Sequence, residues 1–466
     1  MRLLDTTTFE LRLDGQEFFQ DEGYAILSHR WVGPEVTFDE IAQYAPDLRD
    51  AGKQRMKSPQ LDKIRGACEI ARKQGFRWMW IDNCCVNKSS AIEEAESINS
   101  MFKWYRDARV CITYLSDVRS GGSPNPPEYE AVLDPGANEK RHRLAEQASD
   151  RVFQRFDRDE PSEWFSRGWT LPELLAPRDM DFYDADWRYI GSKASLAAQI
   201  QRITGIDADY LVGARHFRRA CIATKMSWAA GRATTRVEDI AYSLFGLFGI
   251  TMTPRYGEGP RAFMRLQQEL LATTEDESLF AWRMPGPAAA DRYDIEQSPK
   301  TTWTSGEWGL LAPSPDWFNG CGNVTIERGP TIQRPARAFH MGRQGIVIPT
   351  MPSEQFTKYK LMLLFSPLLT IGAIPVWIYV MRKLKKKAQA GVPFTLNCWP
   401  TEGDDTTAAI SVYLTMLPNP TSSYAGDYEY KFKRTRCSEL LLVRKYALRG
   451  ATGEAVALQP EVRFGS

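Results

Sequence analysis

At 466 residues the chain is longer than one ordinary hydrophobic core, so two or three domains are expected. Its 43% hydrophobic and 25% charged residues are the proportions of a globular protein and exclude a disordered one. The net charge of +1 removes any bulk electrostatic reason to expect a nucleic-acid partner.

Taken in order, Met1 to Thr8 holds no apolar run of the length a secretory leader needs, and a cytoplasmic location is expected. Tyr24–Trp31 reads as a short buried strand that breaks into polar residues before a Gly33-Pro34 turn. Leu61, Ile64, Ala67, Cys68 and Ala71 recur at helical spacing, and that helix should end near Gly75. Phe76–Asp82 is a strand that ends in an acid, and Ala91–Tyr105 is amphipathic through Ile92, Ala95, Ile98, Met101, Phe102 and Tyr105. Val110–Leu115 and Met180–Asp184 complete the strands. Between them, residues 117–160 are rich in turn formers and charge and read as a surface insertion. Alternating strand and helix predicts a parallel sheet with crossover helices over residues 1–205.

The densest stretch is Trp164–Pro177, where two tryptophans, a glycine and two prolines surround one carboxylate on a two-turn helix. Pro172 is tolerated only near a helix start, so the helix should begin at Thr170, with Trp169 and Glu173 on one face and Leu171, Leu174 and Leu175 on the other. Thr170-x-x-Glu173 is equally a capping box, in which Glu173 folds back to the backbone and does no chemistry. In parallel sheets ligands collect at the carboxyl ends of strands. Ser28, His29, Arg30, Asp82 and Glu173 would all lie there, which favours a site role for Glu173.

Ala25-Ile-Leu-Ser-His-Arg-Trp31, Trp80-Ile-Asp-Asn-Cys-Cys85 and Phe165-Ser-Arg-Gly-Trp-Thr-Leu-Pro-Glu-Leu174 resemble the signature blocks of the fungal heterokaryon incompatibility (HET) domain, in order and spacing, over roughly residues 20–190. That family in turn resembles TIR domains, which implies a TIR/flavodoxin-like α/β fold. Leu27–Arg30 is similar to the end of the first TIR strand. Trp169–Leu174 is similar to the motif that carries the glutamate of NAD-cleaving members, with Thr170 where that motif has cysteine. The resemblance implies non-self recognition coupled to cell death, with NAD as substrate rather than cofactor and Glu173 as the catalytic residue. Nicotinamide leaves as a neutral group, so one carboxylate stabilising an oxocarbenium-like ribose is sufficient without a histidine base.

Each binding candidate has a plainer alternative. Trp169 could stack on a flat ring or belong to the core, Arg30 could pair with phosphate or form a surface salt bridge, and Asp82 could hold ribose hydroxyls or cap a helix. Ser28 and His29 could bind ligand or satisfy loop backbone groups. A second reading is a non-enzymatic module that acts by self-association through the HET domain, answering an unidentified activating protein. A third is a cysteine nucleophile, Cys84 or Cys85 activated by His29. The eight cysteines otherwise include no Cys-x-x-Cys pair and no cluster with the four histidines, which argues against zinc or a disulfide framework.

Residues 206–285 read as a helical connector. Thr235-x-x-Glu238 should start a helix through Ile240, Ala241, Leu244, Phe245 and Phe248, and Phe263, Leu266 and Leu270 mark another. Gly257-Glu-Gly259 lacks the Lys-Ser/Thr of a phosphate loop and is expected to be a turn. Met226–Gly259 resembles the segment that follows HET domains in large incompatibility proteins. Residues 286–466 read as β-rich, with strands at 345–349 and 409–417. Within them Leu361–Met381 runs without a charge and is followed by five basic residues in six, so a membrane span, a buried helix and a segment foreign to the mature fold all remain open.

Overall fold

The computed structural model describes residues 1–13, 23–49, 58–119, 152–285 and 310–326, and by backbone alone the strands at 340–342, 345–347, 392–395, 399–400, 408–416, 432–435 and 441–444. Two contact units divide the chain, Met1–Arg219 with Gly231–Gly259, and Ala220–Ala230 with Pro260–Ser466.

The first unit is an α/β domain around a mixed seven-stranded sheet in the order β2-β1-β4-β3-β5-β6-β7. Its centre is formed by β3 (Ala25–His29), β4 (Trp78–Trp80), β5 (Val110–Tyr114) and β6 (Met180–Tyr183), whose residues are almost all buried. These four are parallel, with β3 lying between β4 and β5. The chain therefore starts at an inner strand, steps to one side, then crosses to the other. In open α/β sheets such a reversal, here beside the carboxyl end of β3, is where ligands collect.

The expectation of a wholly parallel sheet is corrected at both flanks, where β1 (Arg2–Asp5), β2 (Leu11–Leu13) and β7 (Tyr189–Ser192) pair antiparallel. Tight turns make this feasible, because an antiparallel pair needs no crossover helix. Asp5 Oδ1 accepts from the Thr7 and Thr8 amides at 2.9 and 3.0 Å to close the first hairpin. Asp184 Oδ1 accepts from the Asp186 and Arg188 amides at 2.9 and 3.0 Å to close the second.

Three helices cover the sheet: α1 (Phe38–Arg49), α2 (Pro59–Lys73) and α3 (Ala91–Asp107). α2 has proline in its first turn and arginine and lysine in its last, and buries Leu61, Ile64, Ala67, Cys68 and Ala71 as the spacing predicts. α3 starts where the Ser90 hydroxyl accepts from the Glu93 amide, and it buries Ile98, Phe102 and Tyr105. Ile92, expected on that apolar face, is 84% exposed because its turn extends past the core.

The segment 117–160 is a free excursion only in part. At its ends Val118 and Phe153 are buried, and Asp117 accepts from the Ser162 hydroxyl and the Glu163 amide at 2.6 and 2.9 Å. Residues 120–151 lie outside the described residues.

α4 (Thr170–Leu175) precedes β6, and α5 (Ala197–Thr204) and α6 (Ala208–Leu211) follow β7, while α7 (Ile222–Ala229) belongs to the second unit. The helix expected from Thr235 begins at Asp239 and is broken into α8 (Asp239–Tyr242) and α9 (Phe245–Phe248). Glu238 does not cap it; its Oε1 accepts from the Gly257 and Gly259 amides at 2.8 and 2.9 Å. The Gly-Glu-Gly turn thus holds a carboxylate of its own chain. α9 crosses α3 at Gly246, where an added Cβ would lie 2.0 Å from the Phe102 Cβ.

In the second unit, α10 (Arg261–Thr273) buries Gln267, whose side chain bonds the Ala312 carbonyl and amide at 2.7 and 3.0 Å. Trp282 and Trp317 pack with ring centroids 5.0 Å apart. Ala408–Met416 pairs antiparallel with Val392–Thr395, Phe432–Thr435 and Leu441–Arg444. Leu361–Met381 lies outside the described residues, and among those described no helix is long and apolar enough to cross a membrane.

Candidate functional site

Ser28 is wholly buried near the carboxyl end of β3, and a polar cluster forms around its side chain. Its hydroxyl donates to Glu173 Oε2 at 2.5 Å and accepts from the Trp164 indole at 2.9 Å. The Tyr105 hydroxyl donates to the Leu27 carbonyl at 2.9 Å and lies beside the Glu173 carboxyl. Three distant parts of the chain, β3, α3 and the segment 164–173, thereby close one polar cluster inside the domain.

All six residues of α4 are buried, so Glu173 does not face solvent from an open wall. Burial pushes its carboxyl well above the usual range; the Ser28 hydrogen bond opposes this, Asp82 adds to it, and the Tyr105 hydroxyl opposes it. The neutral acid is the favoured form in this closed arrangement.

The capping-box reading of Thr170 and Glu173 is overturned. Trp169 occupies the N-cap position and makes no side-chain cap. The Thr170 hydroxyl instead donates to the Trp164 carbonyl at 2.6 Å, with the Arg167 carbonyl 2.9 Å away, and accepts from Arg232 Nη1 at 3.2 Å. Both side chains have tertiary partners that compete with the local motif, and the tertiary partners win.

A second group lies past the ends of β3 and β4. Asp82 lies two residues past β4, and its Oδ2 accepts from the Trp31 indole at 2.9 Å. Lys88 Nζ is 3.6 Å from the same oxygen and 3.7 Å from the Trp31 ring centroid. Burial would raise the Asp82 pKa, but Lys88, His29, Lys63 and the Trp31 hydrogen bond outweigh it and hold the carboxyl below its ordinary value. His29 Nε2 stands 3.7 Å from Asp82 Oδ1, too far for a hydrogen bond. Burial, reinforced by Lys63, lowers the His29 pKa to about 3, so this imidazole is neutral at physiological pH. His29 Nε2, Arg30 Nε, Asp82 Oδ1 and Asn83 Oδ1 are buried polar atoms without a hydrogen-bond partner among the described residues.

The structure thus brings Ser28 to Glu173 and His29 to Asp82, and the Asp82 carboxylate is near enough to disfavour ionisation of Glu173. It commits the other two candidates elsewhere. Arg30 pairs with Glu163, which also takes Arg155. The Trp169 indole donates to Asp239, which also accepts from the Tyr256 hydroxyl at 3.0 Å. A cysteine nucleophile finds no support: the hydrogen bond with Cys85 and burial push the Cys84 thiol well above its ordinary pKa.

Sequence reasoning missed Trp164, Tyr105 and the buried Lys63–Glu35 pair, whose contacts are 2.5 and 2.6 Å. Trp164 and Tyr105 read locally as core aromatics. No local signal joins Lys63 to a glutamate 28 positions away.

What fold and site define is an α/β domain with a buried carboxyl and a polar cluster at the carboxyl ends of its parallel strands. Residues 24–173 match the family model Heterokaryon incompatibility protein (HET), a match that ends on Glu173. Residues 261–343 match a second family model, a domain of unknown function (DUF8212). Over 248 residues the chain is 36% identical to Vegetative incompatibility protein HET-E-1 of Podospora anserina, a stretch that takes in 53% of this chain and 16% of that protein. The chain thus spans only a small part of that relative's length. No solved structure matches it.

Proposed function

We propose that this chain acts in heterokaryon incompatibility, and that its HET domain is a TIR/flavodoxin-like effector held in a resting state with its NAD-cleaving glutamate masked. The observation that carries this reading is the position of Glu173, hydrogen-bonded to Ser28 where the strand order reverses. The order of the four parallel strands, second-first-third-fourth along the chain, is that of the flavodoxin-like arrangement.

In the resting cluster the carboxyl is buried and favours its neutral form. Opening would hydrate it, lower its pKa and supply the carboxylate that an oxocarbenium-like ribose requires. The C1′–N bond of NAD then breaks, nicotinamide leaves with the electron pair, and water adds its hydroxyl to C1′ and releases a proton. Asp82 would orient ribose hydroxyls, and His29 with Arg30 Nε would satisfy polar ligand atoms. The activity belongs to residues 1–205 and their immediate support, in the cytoplasm, with the remaining chain regulating it in response to a partner protein.

The second reading, self-association without turnover, draws on the same cluster: Ser28, Trp164, Tyr105 and Glu173 form a closed hydrogen-bonded set within the domain. One experiment separates the two. Purified full-length protein and Glu173→Gln are compared for NAD loss by chromatography, for sedimentation, and for killing in a fungal host. Loss of NAD and of killing together in the variant, by about 10²-fold or more in rate, is the expected result. Killing that persists without NAD consumption would overturn the enzymatic reading and favour assembly.

A further inference from the structure

A cavity of about 240 Å³ lies in the first unit, beyond the carboxyl end of α4 and away from the Ser28–Glu173 cluster. Its wall carries Arg106, Arg178, Lys193, Arg215, His216 and Arg218 and no carboxylate. In a chain whose net charge is +1, this is a strong local concentration of one sign.

Internal pairing does not explain it. Arg106 is bonded to Asp107 at 2.8 Å, and Arg215 lies 3.6 Å from Asp209 and 4.0 Å from Asp207. The exposed Arg178 and Arg218 guanidinium groups have no ion-pair partner among the described residues. Lys193 is only 4% exposed. Its Nζ donates to the Leu174 and Pro177 carbonyls at 3.0 and 2.5 Å, which occupies two of its three donors. Burial lowers its pKa to about 8, with Cys111 and Asp179 opposing the shift.

We propose that this cavity binds a di- or triphosphate group. Several cations around one concavity exceed what a single carboxylate needs, and guanidinium forks match phosphate oxygens bidentately. The volume is below that of a typical drug-sized site, about 300 Å³ or more, so it suits the phosphates better than a whole nucleotide. Lys193 would be the buried anchor and Arg178 and Arg218 the outer clamps. Because Lys193 also holds the two carbonyls that end α4, occupancy would bear on the helix that carries Glu173.

The test is calorimetric titration of the full-length chain, at low and raised ionic strength, with pyrophosphate, tripolyphosphate, ADP and ATP. Sodium sulfate at matched ionic strength is the control. The expected result is saturable binding of the phosphates that weakens with salt, weakens about tenfold or more in Arg178→Ala/Arg218→Ala, and is unchanged in Arg158→Ala. Tighter binding of ATP than of tripolyphosphate assigns the phosphates to a nucleotide; equal binding assigns them to a free polyphosphate. Absence of binding, equal binding of sulfate, or undiminished binding by the double variant would each overturn the proposal. Phosphate binding is read with no NAD present, so this outcome is independent of NAD turnover.

Discussion

Glu173 is a glutamate whose surroundings favour its uncharged form, and that has a measurable sign. Its folded pKa is raised, so between the ordinary glutamate value of 4.5 and the raised one the folded chain holds a proton that the unfolded chain has lost. The contribution of Glu173 to stability is therefore full at acid pH and falls as pH rises through that window. His29 works in the opposite sense. Its pKa is lowered from 6.5 to about 3, so its contribution falls as pH drops below 6.5. Comparing Glu173→Gln with the parent cancels the histidine. The variant should gain in melting temperature relative to the parent as pH rises from about 4 to 8, as followed by scanning calorimetry. A difference independent of pH would mean that Glu173 is already ionised in the folded chain.

Element by element, the same local signal failed twice for the same reason. Thr170-x-x-Glu173 and Thr235-x-x-Glu238 both have the spacing of a capping box, and in neither does the glutamate serve the helix start. Glu173 is engaged by Ser28 across 145 positions of sequence, and Glu238 by Gly257 and Gly259. Replacing Thr170 by Ser keeps the buried hydroxyl and should be nearly silent. Thr170→Val should cost about 1–3 kcal/mol in urea unfolding, because it orphans the contacts with Trp164 and Arg232. Gly246→Ala tests the crossing of α3 and α9. An added methyl would meet the Phe102 Cβ at 2.0 Å, backbone-proximal on both sides, so a loss of about 1–3 kcal/mol is expected in the same assay.

At the scale of the whole molecule, the first unit reaches past the expected boundary at 205. Phe102 of α3 packs edge-on against Phe217, with centroids 5.5 Å apart, and against Gly246. The Asn99 side chain bonds the Met252 backbone at 3.0 and 3.1 Å. Truncation at 205 would expose that apolar face of α3. A fragment of residues 1–259 should accordingly be soluble and unfold cooperatively, whereas 1–205 should aggregate or resist folding, as read by light scattering and thermal melting. If the proposed effector activity is intrinsic to this unit, the longer fragment should also kill in a fungal host. Equal behaviour of the two fragments would return the boundary to 205.

By itself the sequence determined the strand–helix alternation and the blocks that resemble a HET domain, and it singled out Glu173. Each of these is written in neighbouring residues through apolar periodicity, proline placement and motif spacing. The tertiary structure alone decided the partners: the antiparallel flanks of the sheet, Trp164 and Tyr105 around Ser28 and Glu173, the pairing of Arg30 with Glu163, and the basic cavity beyond α4. Those contacts join positions far apart in sequence. Only packing removes water from them, and with water removed a hydrogen bond or a charge acquires enough energy to override a local preference.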